Sequence, residues 1–339
     1  MIVKMSKQAT KANYDNLVTA LKQKKFTIKD VSSKHIRIFG IIGDTASLDV
    51  NDIKAFEGVE EAIRIQKPFK QASRAFKEEA TIITLKNGVR IGGEAAVMMA
   101  GPCSVESETQ LFTIADFLSK QGVKVLRGGA YKPRTSPYTF QGMQEAGLKL
   151  LRQAADKYGM AVVSEIPRSD LIDTFDAYVD IMQVGARNMQ NFELLKALGK
   201  TRKPILLKRG LSATIEEWLM SAEYIINSGN PNVILAERGI RTFETYTRNT
   251  LDISAVLAIK ELSHLPVIVD PSHAAGRWNM IEKLSAASLA VGADGLIVEV
   301  HHDPENALSD GAQSLKFDNF SQAFNALKIL SQALNRPLI

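Results

Sequence analysis

Cys103, His273, Glu299 and Asp310 offer one thiolate, one imidazole and two carboxylates. Such a mixture of soft and hard donors suits a divalent transition metal, whereas an all-oxygen cage would suit Mg2+ or Ca2+. Taken singly, each has a plainer use: a lone cysteine is usually a buried apolar filler, and acids and histidines are common in loops. A second group is cationic: Arg127, Lys132, Arg134, Arg187, Lys208 and Arg238. These cations would repel one another at a single small mouth unless anions occupied it. Guanidinium forks bind phosphate and carboxylate through paired hydrogen bonds, and lysine adds a compact charge. The set therefore suits two phosphates and a carboxylate, with a solvated basic rim as the alternative. In RGGAYKPRTSPYTFQG (127–142), Gly128 and Gly129 permit close backbone approach and Pro133 stiffens the turn. Thr135 and Ser136 add hydroxyls beside Arg134, which together make a phosphate cradle.

These residues can meet only if the fold gathers the places where they stand. From residue 96 short apolar runs recur: AVMMAG, VKVLRGG, AVVSEI, IMQVGA, PILLKRG, NVILAERG, LPVIVDPSH and DGLIVEVH. Amphipathic segments such as TQLFTIADFLSKQG, GLKLLRQAADKYG, IEEWLMSAEYIINSG and DISAVLAIKELSH separate them. Near-continuous Val/Ile/Leu strands alternating with helices predict a parallel sheet, and eight strands in about 250 residues match a (β/α)8 barrel. A doubly wound open sheet is the alternative, but no glycine-rich dinucleotide fingerprint follows the first strand. Cys103 follows the first run, Arg127 and Lys132 the second, Glu165 the third and Arg187 the fourth. Lys208 ends the fifth, Glu237 and Arg238 the sixth, Asp270 and His273 the seventh and Glu299 the eighth, with Asp310 in the loop beyond. In a barrel all of these ends converge on the C-terminal face, where active sites sit.

The first 66 residues differ in style. MIVKMS, TIKDVSS, HIRIFGIIG and VEEAIRIQ read as strands, and KANYDNLVTALKQKK and LDVNDIKAF as helices, in the β-α-β-β-α-β order of a ferredoxin-like α+β unit. His35 reads as a strand residue rather than a ligand. Residues 67–80 are polar and read as a connector; residues 81–339 form the expected barrel domain, opening with a hairpin around Asn87-Gly88 that could plug its base.

Composition bounds the function. The 339 residues are 45% hydrophobic and 23% charged, an ordinary globular balance, and one cysteine allows no internal disulfide. No run approaches a membrane span and the N-terminus has no apolar signal region, so cytoplasmic location and no membrane partner are expected. The net charge of +5 raises nucleic-acid binding. The basic residues are dispersed and many stand beside strand-end glycines, so small phosphorylated substrates are favoured over nucleic acid.

With those residues in place, the chain resembles the 3-deoxy-D-arabino-heptulosonate 7-phosphate (DAHP) synthase family, type I beta, over residues 91–339. The resemblance rests on GPCSVES (101–107), RGGAYKPRTSP (127–137), QVGARNMQN (183–191), LLKRG (206–210), ILAERGIRTFE (234–244), DPSHAAGR (270–277) and VEVHHDPENALSDG (298–311). It implies that Cys103, His273, Glu299 and Asp310 hold one divalent ion per subunit, Mn2+ ahead of Zn2+, Fe2+, Co2+ or Cd2+. It implies that Arg127, Lys132, Glu165, Ala186, Arg187, Lys208 and Arg238 surround phosphoenolpyruvate. Lys132, Pro133, Arg134, Thr135, Ser136 and Asp270 would hold erythrose 4-phosphate. Lys132, Glu165, Cys103 and His273 would carry the catalysis, with Glu165 orienting or activating a water. Residues 1–66 resemble the ACT-like extension that serves feedback inhibition by tyrosine or phenylalanine, and the family suggests a homotetramer. 3-Deoxy-manno-octulosonate 8-phosphate synthase, which takes arabinose 5-phosphate, is the near alternative; its members typically show an Asn-containing sequence where this chain has KPRTS. A metabolite sensor is the more distant alternative.

Overall fold

The computed structural model describes residues 1–30, 32, 37–43, 45, 48–64, 68–133, 136 and 138–339. They form two compact units, Met1–Glu79 with Leu262–His264, and Ala80–Glu261 with Leu265–Ile339.

In the small unit, β1 (Ile2–Met5), α1 (Lys11–Gln23), β2 (Thr27–Asp30), β3 (Ile38–Ile42), α2 (Val50–Lys54) and β4 (Val59–Ile63) follow in order. The four strands pair antiparallel as β2-β3-β1-β4, the ferredoxin-like arrangement expected. Alternation decides the faces. Phe39 and Ile41 of β3 join Val3, Leu17, Leu21 and Ile53 in one buried cluster. Gly40 between them leaves room on the other face for the ring of Phe76, which a Cβ would strike. Thr10 caps α1 by accepting from Asn13 N, with Asn13 answering on the Thr10 backbone. His35 lies outside the described residues.

The larger unit opens with a hairpin, β5 (Ile83–Thr84) and β6 (Arg90–Ile91). Leu85 N donates to Val89 O and Gly88 N to Leu85 O, so Lys86, Asn87 and Gly88 make a three-residue loop with Gly88 at φ 87°. Ile83, Leu85, Val89 and Ile91 join Val97, Val125, Ile181, Leu206 and Ile268 in one buried cluster and fill the N-terminal end of the barrel.

The barrel strands and helices then alternate: β7 (Val97–Gly101), α3 (Glu108–Gln121), β8 (Val125–Arg127), α4 (Gln144–Tyr158), β9 (Ala161–Glu165), α5 (Ile172–Tyr178), β10 (Ile181–Val184) and α6 (Phe192–Leu198). They continue with β11 (Ile205–Lys208), α7 (Ile215–Asn227), β12 (Val233–Glu237), α8 (Ser254–Leu262), β13 (Val267–Val269), α9 (Pro271–Ala275), α10 (Ile281–Ala290), β14 (Gly295–Glu299) and α11 (Phe317–Ala333). All eight strands run parallel, and β14 closes on β7, so the sheet is a closed (β/α)8 barrel and not an open one. Helix ends follow the usual chemistry. Ser107 caps α3 and Gly122 ends it at φ 90°, while Thr214 and Glu217 form a capping box at α7. Among the described residues no helix is long and apolar enough to cross a membrane.

Candidate active site

The loop after β7 carries Cys103. Gly101, at φ 155°, passes against the Arg127 backbone, so β7 and β8 come close just where Cys103 turns inward. The Cys103 carbonyl accepts from Gly129 N at 3.1 Å and from Lys132 Nζ at 3.0 Å. A Cβ on Gly129 would stand 2.7 Å from that carbonyl oxygen, which is why the turn after β8 takes glycine there. Lys132 Nζ also lies 3.1 Å from Cys103 Sγ, and Sγ donates to Asp310 Oδ2 at 3.3 Å.

Ligand atoms of Cys103, Glu299 and Asp310 all lie within 4.8 Å of one another. His273 stands beside this trio, its Nε2 3.4 Å from Glu299 Oε1. The ring's Nδ1 rests 2.8 Å from Asp270 Oδ2, turned off the line of a good hydrogen bond. Asp270 caps α9 by accepting His273 N at 2.9 Å and forms a buried ion pair with Lys208, so one carboxylate fixes both the histidine and the lysine. Burial pushes the Cys103 thiol up to about 11, with Glu299 adding to the effect. Burial alone would raise Glu299 too, but His273 and Arg127 outweigh it and hold the carboxyl at about 2. Burial lowers His273 below its ordinary value, leaving a neutral imidazole at neutral pH. The thiol and two ionised carboxylates at this spacing could hold one divalent ion, with the neutral imidazole beside them.

Beside the cluster opens a cavity of about 540 Å3. Lys132, Glu165, Arg187, Lys208, Arg238 and His273 line it, as do Pro133, Ser136, Ala186 and Asp310. Arg187 Nη1 donates to Pro133 O at 3.3 Å, joining two of the loops. Arg238 is 5% exposed, and its Nη1 is buried with no acceptor among the described residues. Burial lowers its pKa from the usual guanidinium value. A buried guanidinium nitrogen without an acceptor is costly unless an anion meets it. Glu165 Oε2 accepts from Gln183 Nε2 at 3.2 Å, and the carboxylate rests against Gly185, where a Cβ would crowd it.

Several strand-end residues face elsewhere. Arg127 is buried outside the cavity wall, its Nη1 2.6 Å from Glu299 Oε1 and 3.0 Å from Pro102 O. Glu237 does not reach the mouth. It is fully buried, accepting from Arg209 Nη1 at 3.0 Å and Gly239 N at 2.6 Å. Arg209 also donates to Asp252 at 2.7 Å, so a buried Glu237–Arg209–Asp252 network ties down the residues next to Lys208 and Arg238. Arg134 and Thr135 lie outside the described residues. Arg241, Arg248 and Asn249 line the cavity without having been singled out in the sequence. Arg241 did stand inside the quoted ILAERGIRTFE motif, so that run of basic residues was a usable signal; Arg248 and Asn249 had none.

Comparison with known proteins gives the following matches. The family model described as "DAHP synthetase I family" matches residues 80–336, and that described as "DAHP synthase ferredoxin-like domain" matches residues 1–67. Phospho-2-dehydro-3-deoxyheptonate aldolase of Thermotoga maritima is 56% identical over 297 residues, covering 88% of each chain. A crystal structure of that organism's phospho-2-dehydro-3-deoxyheptonate aldolase (DAHP synthase) superposes with a TM-score of 0.79 at 50% identity, covering 100% of this chain and 99% of the other. A 2-dehydro-3-deoxyphosphooctonate aldolase of Geobacter sulfurreducens is 31% identical over 71% of this chain and 95% of its own.

Proposed function

Because the chain belongs to the DAHP synthetase I family, we propose that it is a metal-dependent transferase condensing phosphoenolpyruvate with erythrose 4-phosphate and water to DAHP and phosphate, the first step of the shikimate pathway of aromatic amino acid biosynthesis. The observation that carries the reading is the meeting of a Cys103–Glu299–Asp310 cluster with a cavity whose buried Arg238 Nη1 has no acceptor among the described residues. The same cavity draws Arg187, Lys208 and Lys132 from three further strand ends.

Cys103, His273, Glu299 and Asp310 would hold the divalent ion, which supplies a Lewis acid for the aldehyde carbonyl. Arg187, Lys208 and Arg238 bind the phosphate and carboxylate of phosphoenolpyruvate, with Ala186 allowing close approach and Arg127 behind them. Lys132, Pro133, Ser136 and Asp270, with Arg134 and Thr135, serve erythrose 4-phosphate. The π electrons of phosphoenolpyruvate form a bond from C3 to the aldehyde carbon, and Lys132 gives the aldehyde oxygen its proton. Water adds at C2 and loses a proton towards Glu165. The tetrahedral carbon then breaks its bond to the phosphate oxygen while its hydroxyl proton passes to the departing phosphate, leaving the ketone. Residues 1–66 would bind tyrosine or phenylalanine and inhibit, with residues 67–80 as connector to the barrel, and the chain would act as a cytoplasmic homotetramer.

The test is steady-state phosphate release with erythrose 4-phosphate and with arabinose 5-phosphate, each with and without a chelator, Mn2+ and aromatic amino acids. Turnover with the four-carbon sugar, lost to the chelator and restored by Mn2+, is expected. Preference for arabinose 5-phosphate would give the octulosonate reading, and turnover in metal-free protein would remove the ion. Inhibition by tyrosine or phenylalanine should vanish when residues 1–66 are deleted; persistence would place the effector elsewhere.

A further inference from the structure

The donor cluster is held from behind by groups that have no part in the reaction described above. Gln313, 2% exposed, stands between two charged neighbours. Arg248 Nη1 donates to Gln313 Oε1 at 2.9 Å, and Gln313 Nε2 donates to Glu299 Oε2 at 2.7 Å. Arginine only donates, and ionised Glu299 only accepts, so the amide can face just one way. The same Arg248 Nη1 lies 3.3 Å from Asp310 Oδ1. With Arg127 on Glu299 Oε1 and Cys103 on Asp310 Oδ2, each carboxylate has both oxygens engaged.

The brace is anchored at both ends. Gln313 closes the short turn after Asp310, its N–H donating to Asp310 O at 3.3 Å. Asp310 itself sits at φ 50°, a conformation that aspartate tolerates but that its surroundings must hold. Arg248 N donates to Ala275 O at 3.0 Å and Asn249 N to Ala274 O at 2.8 Å, while Asn249 Nδ2 donates to His273 O at 3.1 Å. The 248–249 segment is thus pinned to the α9 backbone that carries His273. Through two side chains, the segments bearing His273, Glu299 and Asp310 are cross-linked.

We propose that Gln313 and Arg248 are positioning residues of the metal site: the Arg248–Gln313 pair presets the orientation of the Glu299 and Asp310 carboxylates and thereby sets the affinity for the ion. The proposal rests on the metal reading of the cluster. Outer-shell partners of this kind are worth about 10–100-fold in metal affinity.

The experiment is titration of the full-length apoprotein with Co2+, followed by the thiolate-to-cobalt charge-transfer band and by calorimetry, with thermal unfolding of the apoprotein as the control. In wild type the band should appear, and Cys103→Ser should abolish it. A wild type lacking the band would remove the metal reading and the brace with it. Gln313→Met keeps volume, changes no charge and removes both hydrogen bonds. It should keep the band but shift it and weaken Co2+ binding 10–100-fold. Affinity within twofold of wild type in a folded variant overturns the proposal. Should Gln313→Met fail to fold, the half-exposed Arg248 replaces it: Arg248→Ala should weaken binding and Arg248→Lys restore part of it. Tighter Co2+ binding in Arg248→Ala would show a guanidinium that competes with the ion, and would equally overturn the proposal.

Discussion

Gly185 offers a way to move one carboxylate while leaving everything else in place. Its backbone, φ −66° and ψ 155°, is ordinary extended geometry, so Gly185→Ala meets no conformational obstacle. The obstacle is Glu165: the new Cβ would lie 2.7 Å from its Cδ. Carbon atoms settle at about 3.5–4.0 Å, so the carboxylate must retreat by roughly 1 Å. That retreat weakens the 3.2 Å bond from Gln183 Nε2, a loss of about 1 kcal/mol. Replacing glycine at a compatible backbone contributes about 0.4–1 kcal/mol in the other direction. Thermal stability should therefore change little. Activity should not be spared, because a displacement of about 1 Å at a reacting group costs on the order of 100-fold. Phosphate release would give kcat and KM, and calorimetry would give phosphoenolpyruvate binding. The expected result is a large fall in kcat with near-normal binding and unfolding. If Gly185→Ala turns over like wild type, the Glu165 carboxylate needs no fixed position, and its role with the attacking water is refuted.

Lys208→Met should be costly to the fold as well as to turnover, since it strips a partner from the fully buried Asp270. Breaking such a pair costs about 3–5 kcal/mol, which calorimetry would register as a lower Tm. Arg209→Leu should likewise destabilise by about 3–5 kcal/mol, by leaving Glu237 buried and unmatched. It should also raise KM for phosphoenolpyruvate by loosening Lys208 and Arg238. Adding Glu237→Gln should recover much of the stability, and a double variant no better than the single would mean that the network is not what holds these strand ends. His264 is 6% exposed and burial holds its pKa at about 4, against an ordinary 6.5. The folded chain then binds fewer protons than the unfolded one, so this histidine costs stability progressively as pH falls from 6.5 through 4, about 3 kcal/mol at the limit. Unfolding curves at pH 7 and pH 5 should separate in wild type and draw together in His264→Gln.

The barrel was legible because a parallel strand buried on both faces must be apolar throughout, and eight such runs stand out against polar loops. The short helices were not. α9 has only five residues, too few for any periodicity, and is set by the Asp270 cap and Pro271. The strand ends were read too generously. Adjacent residues in extended chain point opposite ways, so Glu237 and Arg238 cannot both face the mouth. Arg238 takes the cavity and Glu237 turns back to Arg209, itself the neighbour that Lys208 displaces from the mouth. Gln313 and Arg248 gave no sequence signal, because their role arises from a meeting across 65 residues of chain.

The buried cations at and behind the mouth divide into two kinds by how their charge is matched within the protein. Arg127 and Lys208 are buried against Glu299 and Asp270, acids that also touch His273. Their charges are already matched within the protein, so they lock the donor cluster and can offer an incoming anion only what those acids leave. Arg238 is different: it is as deeply buried as Arg127, yet among the described residues no acid pairs with it and its Nη1 meets no acceptor. Hydrophobic replacement at such a position would ordinarily be the more stable choice. Arginine there leaves desolvated charge open to the cavity, and a phosphate or carboxylate that reached it would gain an interaction far stronger than an exposed cation could give. Glu299 and Asp270 therefore do more than border the donor cluster. By pairing with Arg127 and Lys208, they leave Arg238, of these three, as the cation open to an anion in the cavity.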